Sequence, residues 1–289
     1  MFSIANILLP VDFSERSLGA ARYAIPLARH FNSELTLLHV FVPPEAFGKI
    51  EGAAVLEDLL GDLRAGSVRT LNAFMKKDLP DLKVNRILLE GDSARKIVEY
   101  AHSEKPDLVM MATHGYGPFR RFLLGSVTAK VLHDAHCPVW TGVHVEKFSS
   151  LESNKPGHIV CAIDLGSQSR HTLDWAARLS TELKAQMTVV HVLASLDPHT
   201  QTYYLSAEWR KHLCDEAMAA IEGLKKDLGI QAEVKLEMGD VHKGVCHAAE
   251  ALKADLLVIN RGGDGGPGGR LRTYAYAIIR DSSCPVVSV

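Results

Sequence analysis

The chain contains two copies of one sequence pattern. Residues 4–17 (IANILLPVDFSERS) align with residues 156–169 (PGHIVCAIDLGSQS), and each segment is an apolar run that ends near an aspartate and precedes a serine-containing helix start. A repeat of this length indicates a duplicated domain, because solenoid units are only about 20–50 residues long. The matching positions are Asp12 and Asp164, His39-Val40 and His191-Val192, Gly91-Asp92 and Gly239-Asp240, Asp107 and Asp255, and Cys137-Pro138 and Cys284-Pro285.

Short apolar runs alternate with helical patterns in each copy. In the first copy the runs are ILLPV, LTLLHV, VNRILL, LVMMA and PVWTGV. This alternation predicts βαβ units, and therefore an α/β fold with a mostly parallel sheet and helices on both faces. Segments 44–79 and about 197–228 each predict a loop followed by a long amphipathic helix. The polar, Ser-rich stretch 146–157 predicts a linker, so we expect domains at 1–146 and 156–289.

Composition argues against two classes of partner. The net charge of −2 gives no basic excess for binding nucleic acid. No apolar run approaches the roughly 20 residues that cross a membrane, and the N-terminus predicts a first strand and not a signal peptide. The five cysteines form no C-x-x-C pair, which favours buried thiols in a reducing compartment. We therefore expect a cytoplasmic protein without a nucleic-acid or membrane partner.

A ligand of such a sheet binds at the carboxyl ends of the strands, where the strand order reverses. In the first half, Pro10, Asp12, Val40 and the loop after LVMMA meet there. Beyond that loop, Gly125-Ser126 open a helix, whose free N–H groups attract phosphate; Arg120 and Arg121 in the loop would add positive charge. The residues alone leave a second interpretation open, in which Gly125-Ser126 only cap the helix and the loop only turns.

One motif links this region to a known family. Ala112-x-x-Gly115, nine further residues and Gly125-Ser126 resemble the pattern G-x-x-G, nine residues, G-[ST] of the universal stress protein family, with Ala112 for the first glycine as the only departure. The resemblance extends over essentially the full chain. It implies two tandem Rossmann-like domains of the adenine nucleotide alpha hydrolase type, each with a five-stranded sheet. It also implies a cytoplasmic stress-response protein that binds ATP, ADP or AMP, with Mg²⁺ as the accompanying ion.

The resemblance further implies a set of ligand contacts and partners. Asp12, Pro10 and Val40 would hold the base, while the loop 111–115 and the stretch 125–128 would hold ribose and phosphates. The family's dimers pair through their last strands, which implies an intramolecular pseudo-dimer here and leaves a further homodimer and unidentified protein partners open. The complete set is Pro10, Val11, Asp12, Val40, Met111, Ala112, His114, Gly115, Gly125, Ser126, Val127 and Thr128.

The second half keeps Asp164 and Val192 but not the phosphate motif. Arg272-Thr273 stand where the first half has Gly125-Ser126. Either this second site is degenerate, or its Gly-rich loop at 262–269 is rebuilt for another ligand with Arg270 and Arg272 supplying charge.

Several other signals are weak. The match to G-x-G-x-x-G at 263–268 lies in a glycine-rich stretch near the end of the sequence and lacks the acidic partner of a dinucleotide site. His133, His136 and Cys137 lack a fourth metal ligand at typical spacing, so we expect no metal site there. We expect a regulatory binding module without assigned catalytic residues. The alternatives are a slow ATP hydrolase, and a module that binds a non-nucleotide ligand or only other proteins.

Overall fold

The computed structural model describes residues 2–44, 53–113, 124–142, 155–194, 207–261 and 270–289. The chain divides into two units, one of Ser3–Asn154 and one of Lys155–Val289 together with Met1–Phe2. Each unit is an α/β domain that contributes five parallel strands.

In the first unit, the strand order is β3-β2-β1-β4-β5, and every pair of neighbours is parallel. The order reverses direction between β1 and β4, which opens a crevice at the carboxyl ends of the strands. The elements are β1 (Asn6–Pro10), α1 (Glu15–Phe31), β2 (Glu34–Phe41), α2 (Ala53–Ala73), β3 (Lys83–Glu90), α3 (Ser93–Glu104), β4 (Leu108–Ala112), α4 (Ser126–Asp134) and β5 (Val139–Gly142).

The central strands β1 and β4 form the core of this unit. Leu8, Leu9 and Val109 are at most 1% exposed, because helices cover both faces of a parallel sheet. Burying a side chain of this size contributes about 1.5–3 kcal/mol. The runs ILLPV and LVMMA read from the sequence therefore correspond to buried central strands.

Local capping sets where the helices begin. The Ser14 side chain caps α1 by accepting a hydrogen bond from the Ser17 backbone N–H at 3.2 Å. Gly91 has φ +126°, a conformation that other residues rarely adopt, and it precedes Asp92, whose carboxylate caps α3 by accepting from the Arg95 N–H at 2.8 Å. The Gly-Asp pair of the repeat is therefore a turn and a helix cap.

The second unit has the equivalent topology, with strand order β8-β7-β6-β9-β10 and parallel neighbours. Its Gly239 (φ +129°) and Asp240 repeat the turn and cap at the third helix of the domain. The elements are β6 (His158–Ala162), α5 (Ser169–Leu183), β7 (Gln186–Ala194), α6 (Ala207–Leu228), β8 (Glu233–Gly239), α7 (Val241–Ala251), β9 (Leu256–Ile259), α8 (Arg270–Asp281) and β10 (Val286–Ser288).

Two helix starts differ between the units. The cap of α5 is Gln168, whose side chain makes no capping bond, so the serine cap expected from the repeat is present only in the first unit. Helices α4 and α8 end at the matching residues Asp134 and Asp281, but α4 has 9 residues and α8 has 12. Helix α8 therefore begins almost one turn earlier relative to its sheet.

The predicted fold class, two tandem Rossmann-like α/β domains with five-stranded parallel sheets, is confirmed. No helix within the described ranges is long and apolar enough to cross a membrane. None of the five cysteines, all of which lie within the described ranges, forms a disulfide; Cys161 and Cys284 are buried, and burial raises their pKa values to about 12 and about 11. Cys137, Cys214 and Cys246 are half-buried, so the expectation of buried thiols holds for only part of the set.

Candidate functional site

The first unit has a cavity of about 240 Å³ at the carboxyl ends of β1, β2 and β4, with α3 and α4 completing its wall. Of the predicted contacts, His114 and Gly115 lie outside the described residues, as do Arg120 and Arg121. The structure brings the other ten together around the cavity: Pro10, Val11, Asp12, Val40, Met111, Ala112, Gly125, Ser126, Val127 and Thr128.

Asp12 is held by the turn between β1 and α1. Its Oδ1 atom accepts hydrogen bonds from the backbone N–H of Ser14 at 3.0 Å and from the Ser14 hydroxyl at 2.5 Å. Phe13 between them has φ +63°, a left-handed conformation unusual for a residue with a side chain. Within the described residues Oδ2 makes no hydrogen bond, so this oxygen remains an acceptor for a ligand.

The start of α4 forms another part of the wall. Gly125 is the N-cap, with φ −61° and ψ 143°, and its N–H donates to the Thr113 carbonyl at 2.9 Å. Because glycine has no side chain, nothing on the cap competes for the N–H groups of the first turn, which lack acceptors within the helix. Ser126 is the first helical residue, so the cap is Gly125 and not the serine.

Thr128 anchors that first turn to the sheet. Its side chain is buried, and its hydroxyl donates to the Ala112 carbonyl at the end of β4 at 2.9 Å. Together with the bond from Gly125 to Thr113, this contact places the N-terminus of α4 beside the strand ends. The N–H groups and partial positive charge of the helix start therefore face a position where an anion can bind.

Five lining residues were missed by the sequence reasoning. They come from α1, β2 and α3 and are Ser17, Leu38, His39, Ser93 and Ile97. A signal existed for two of them, since His39 belongs to the repeated His-Val pair and Ser93 follows the repeated Gly-Asp pair.

His39 links the first two strands beneath the cavity. Its Nδ1 lies 2.8 Å from the Val11 carbonyl oxygen; since a carbonyl only accepts, Nδ1 carries the proton and donates. The imidazole also packs against the Phe13 ring, with centroids 4.2 Å apart. His191 repeats the first contact in the second unit, donating from Nδ1 to the Ile163 carbonyl at 2.9 Å. The repeated histidine is therefore part of the scaffold that fixes the turn after the first strand.

The charge around the first cavity is small. Among the described residues that line it, Asp12 is the only carboxylate and none is lysine or arginine. A phosphate in this cavity would therefore rely on backbone N–H groups and hydroxyls in the described part of the wall.

The second unit keeps a cavity of about 320 Å³ in the equivalent place, at the ends of β6, β7 and β9 beside α7 and α8. Its aspartate is bonded differently. Asp164 Oδ1 accepts from the Gly166 N–H at 2.9 Å, the Ser169 hydroxyl at 2.9 Å and the Asn260 amide at 3.0 Å. The bond from Asn260 joins the ends of β6 and β9 across the crevice.

The histidines near the end of α4 have other contacts. His133 Nδ1 bonds the neighbouring Asp134 carboxylate, and the His136 ring stacks on His102 with centroids 4.4 Å apart. Lys130 and His133 hold the pKa of Asp134 below its usual value. Among the residues whose positions are described, no group of three His, Cys, Asp or Glu side chains is arranged to hold a metal ion.

Comparison with known proteins identifies the family. The sequence profile of the universal stress protein family matches residues 3–141 and again residues 156–289. A universal stress protein of Methanocaldococcus jannaschii is 35% identical over 136 residues, which are 46% of this chain and 79% of that protein. A universal stress protein of Mycolicibacterium smegmatis is 25% identical, covering 98% of this chain and 96% of its own length.

A solved structure shows the same fold over the whole chain. The crystal structure of a universal stress protein from Archaeoglobus fulgidus matches with a TM-score of 0.68 at 21% identity, covering 99% of this chain and 96% of that one. The chain therefore belongs to the universal stress protein family, as a tandem member with two family domains.

Proposed function

We propose that the first domain binds an adenine nucleotide (ATP, ADP or AMP) and that the chain acts in the cytoplasm as a nucleotide-regulated binding module. The observation that carries this proposal is the first cavity, where Asp12 and the start of α4 line one crevice at the ends of three parallel strands. Membership of the universal stress protein family supports it.

The wall offers groups suited to each part of a nucleotide. Val40 and Pro10 give an apolar surface for the base, and the Asp12 carboxylate can accept a hydrogen bond from an N–H or hydroxyl group of the ligand. The backbone N–H groups of Ser126 and Val127 suit the phosphates. Mg²⁺ would enter with the phosphates, because it prefers phosphate oxygens and water to an all-protein cage.

The described wall favours binding over fast catalysis. Phosphoryl transfer depends on cationic groups that stabilise the developing charge, together with a residue that orients the attacking water. The described lining residues include no lysine or arginine, and Asp12 Oδ1 is bonded to Ser14. We therefore expect any ATP hydrolysis to be slow.

The test uses Gly125→Asp in the full chain. The backbone of Gly125 is in an extended region that any residue adopts, and Asp is a preferred N-cap, so the substitution keeps or slightly raises stability. Its carboxylate accepts from the first-turn N–H groups and repels phosphate. We expect ATP and ADP affinities, measured by calorimetry with Mg²⁺, to fall at least about tenfold, or roughly 1.4 kcal/mol.

Gly125→Asn is the matched control, because asparagine caps the helix without the charge. It should lose less affinity than the aspartate variant, and the thermal midpoints of both should match or exceed the wild type. Nucleotide affinity unchanged in Gly125→Asp would remove α4 from the site. If the wild-type chain binds none of the three nucleotides and none co-purifies with it, the proposal is wrong and the non-nucleotide alternative stands.

A further inference from the structure

The cavity of the second domain has a different wall from that of the first. The aligned repeats place Val241 where the first cavity has Ser93, and Ala275 where it has Thr128. Two hydroxyl groups are thereby replaced by apolar side chains. Ile259 stands where the first cavity has Met111, so this position stays apolar, and Asn260 stands where it has Ala112. The crevice thus persists, at about 320 Å³, while its surface becomes mainly apolar.

The backbone of the second cavity is also less suited to phosphate. Helix α8 begins at Arg270, so Tyr274 and Ala275, which line the cavity, lie beyond its first turn. Their N–H groups bond within the helix, unlike those of the first turn. The counterparts of these two residues in the first domain, Val127 and Thr128, lie in the first turn of α4. The helix start that favours anions is therefore displaced from the cavity lining.

Among the described residues that line the second cavity, the one carboxylate is held in place. Asp164 Oδ1 accepts three hydrogen bonds, one of them from the Asn260 amide on the opposite side of the crevice. Ala112, the counterpart of Asn260 in the aligned repeats, has no side-chain donor for such a bond. Asp164 Oδ2 makes no hydrogen bond within the described residues. As with Asp12 in the first cavity, one acceptor oxygen stays open for a donor group of a ligand, but here the described lining includes no first-turn N–H groups of α8 to hold an anion.

We propose that the second domain binds a neutral, mainly apolar small molecule that donates a hydrogen bond to Asp164. The cavity has the volume of sites for drug-sized ligands, which are typically apolar with a few placed polar groups. Val245 from α7 and Ile278 from α8 provide apolar surface, and Asp164 fixes orientation. This proposal does not depend on nucleotide binding by the first domain.

The experiment uses indole as the probe and benzofuran as its control, since the two are nearly identical in shape but benzofuran lacks the N–H donor. Each is titrated into the ¹⁵N-labelled full chain and followed by NMR. We expect indole to shift the amide resonances of Ile163, Asn260 and Ala275. Benzofuran should bind about tenfold more weakly, the loss expected for one hydrogen bond to a charged group.

A matched pair of variants locates the site. Val245→Phe fills the second cavity, and Ile97→Phe makes the same change at the corresponding position in the first. Indole binding should fall at least about tenfold in the first variant and stay within about twofold of wild type in the second. Circular dichroism checks that each variant is folded. If Val245→Phe does not fold, the amide resonances that indole shifts in the wild-type chain locate the binding site.

Three results would overturn the proposal. They are the absence of shifts up to the solubility limit of indole, shifts confined to Val11, Thr113 and Thr128 around the first cavity, and ADP shifting the resonances of the second cavity. Equal affinities for indole and benzofuran would overturn the assigned role of Asp164.

Discussion

Thr128 is the residue that ties the start of α4 to the sheet. Its hydroxyl donates to the Ala112 carbonyl at 2.9 Å, and the side chain is only 3% exposed. When a buried hydroxyl is replaced by a methyl group, the carbonyl that loses its donor faces an apolar group, so the loss exceeds the contribution of the bond itself.

Thr128→Val should therefore destabilise the chain although the side-chain shape is kept. We expect a loss of about 1–3 kcal/mol in the free energy of unfolding, measured by urea denaturation. Thr70→Val is the control, since Thr70 makes an equivalent bond to the Gly66 carbonyl on an exposed face of α2 and should change stability by less than about 0.5 kcal/mol. Equal losses in the two variants would contradict this assignment.

At the residue scale, the repeat shows which aspartates occur in both copies but not which structural role each of them has. Asp92 and Asp240 are helix caps, whereas Asp107 accepts from the Asn6 N–H at 2.8 Å at the amino end of the strands. Of these repeated aspartates, the described linings of the two cavities contain only Asp12 and its counterpart Asp164. Helix capping, strand anchoring and ligand binding all use an aspartate carboxylate, so the spacing of aspartates in the sequence does not show which role each one has. Asp12 was distinguished because it follows a strand at the ligand-binding edge.

At the element scale, a partly buried arginine of β3 holds the end of α2. Arg86 on β3 donates from Nε to the Leu71 carbonyl and from Nη2 to the Phe74 carbonyl, each at 3.0 Å. These carbonyls lie at the C-terminal end of the helix, where backbone oxygens lack helical partners and a cation is favourable. Most of the described side chains of α2 are exposed; Leu59 and Leu63 are 41% and 40% accessible.

Arg86→Met should loosen this contact. The thioether keeps part of the packing but removes both donors, so we expect a loss of about 1.5–3 kcal/mol in urea denaturation. Hydrogen exchange should also become faster in α2. Arg64→Met is the control. Arg64 is exposed and forms a surface ion pair with Glu90 at 3.8 Å, and such pairs contribute little to stability. A comparable loss in the control would show that the effect is not specific to the helix end.

The two repeated caps make a paired prediction. Asp92→Ala and Asp240→Ala each remove a side-chain acceptor from a helix N-terminus, at 2.8 Å and 2.9 Å from the capped N–H. Each should lower the stability of its own domain by about 1 kcal/mol, read from domain-specific NMR signals during urea unfolding. Asp92→Asn and Asp240→Asn should restore most of the loss, because asparagine also caps. Failure of the asparagine variants would argue against capping.

The sequence predicted the positions of the strands more accurately than the residue at which α8 begins. The apolar runs lie in the strands because central parallel strands are buried on both faces. The alignment paired Arg272-Thr273 with the helix start at Gly125-Ser126, but α8 begins at Arg270. Arg270, Leu271 and Arg272 have good helix propensity, whereas glycine disfavours a helix interior. Helix α4 therefore begins just after Gly125, while α8 begins earlier in its domain. The alignment identifies the equivalent position in the second copy, but the residue at which the helix begins depends on the local sequence.

At the scale of the whole molecule, duplication preserved the fold while the two cavities diverged. Loss of the phosphate motif predicted a degenerate second site, and the sequence could not show that a cavity remains. The crevice is formed by the strand order. The packed strands keep that order, so the crevice remains even when the residues that line it change. The lining depends on single positions such as Ser93 and Val241, which sequence periodicity does not single out.

This divergence predicts that ligands act on one domain each. At about 100 times its dissociation constant, a ligand that binds only the native state stabilises it by about 2.7 kcal/mol, so the bound domain should exchange its amide hydrogens more slowly. In hydrogen exchange on the full chain, ATP with Mg²⁺ should protect peptides from Ser3–Asn154 that contain Asp12 or Ser126, and leave peptides from Lys155–Val289 unchanged. With its affinity about tenfold lower, Gly125→Asp should be stabilised by only about 1.4 kcal/mol at the same ATP concentration, so this protection should be clearly weaker. Protection by ATP of peptides containing Asp164 would show that the second cavity still accepts nucleotide, and that its altered lining does not determine which ligand binds.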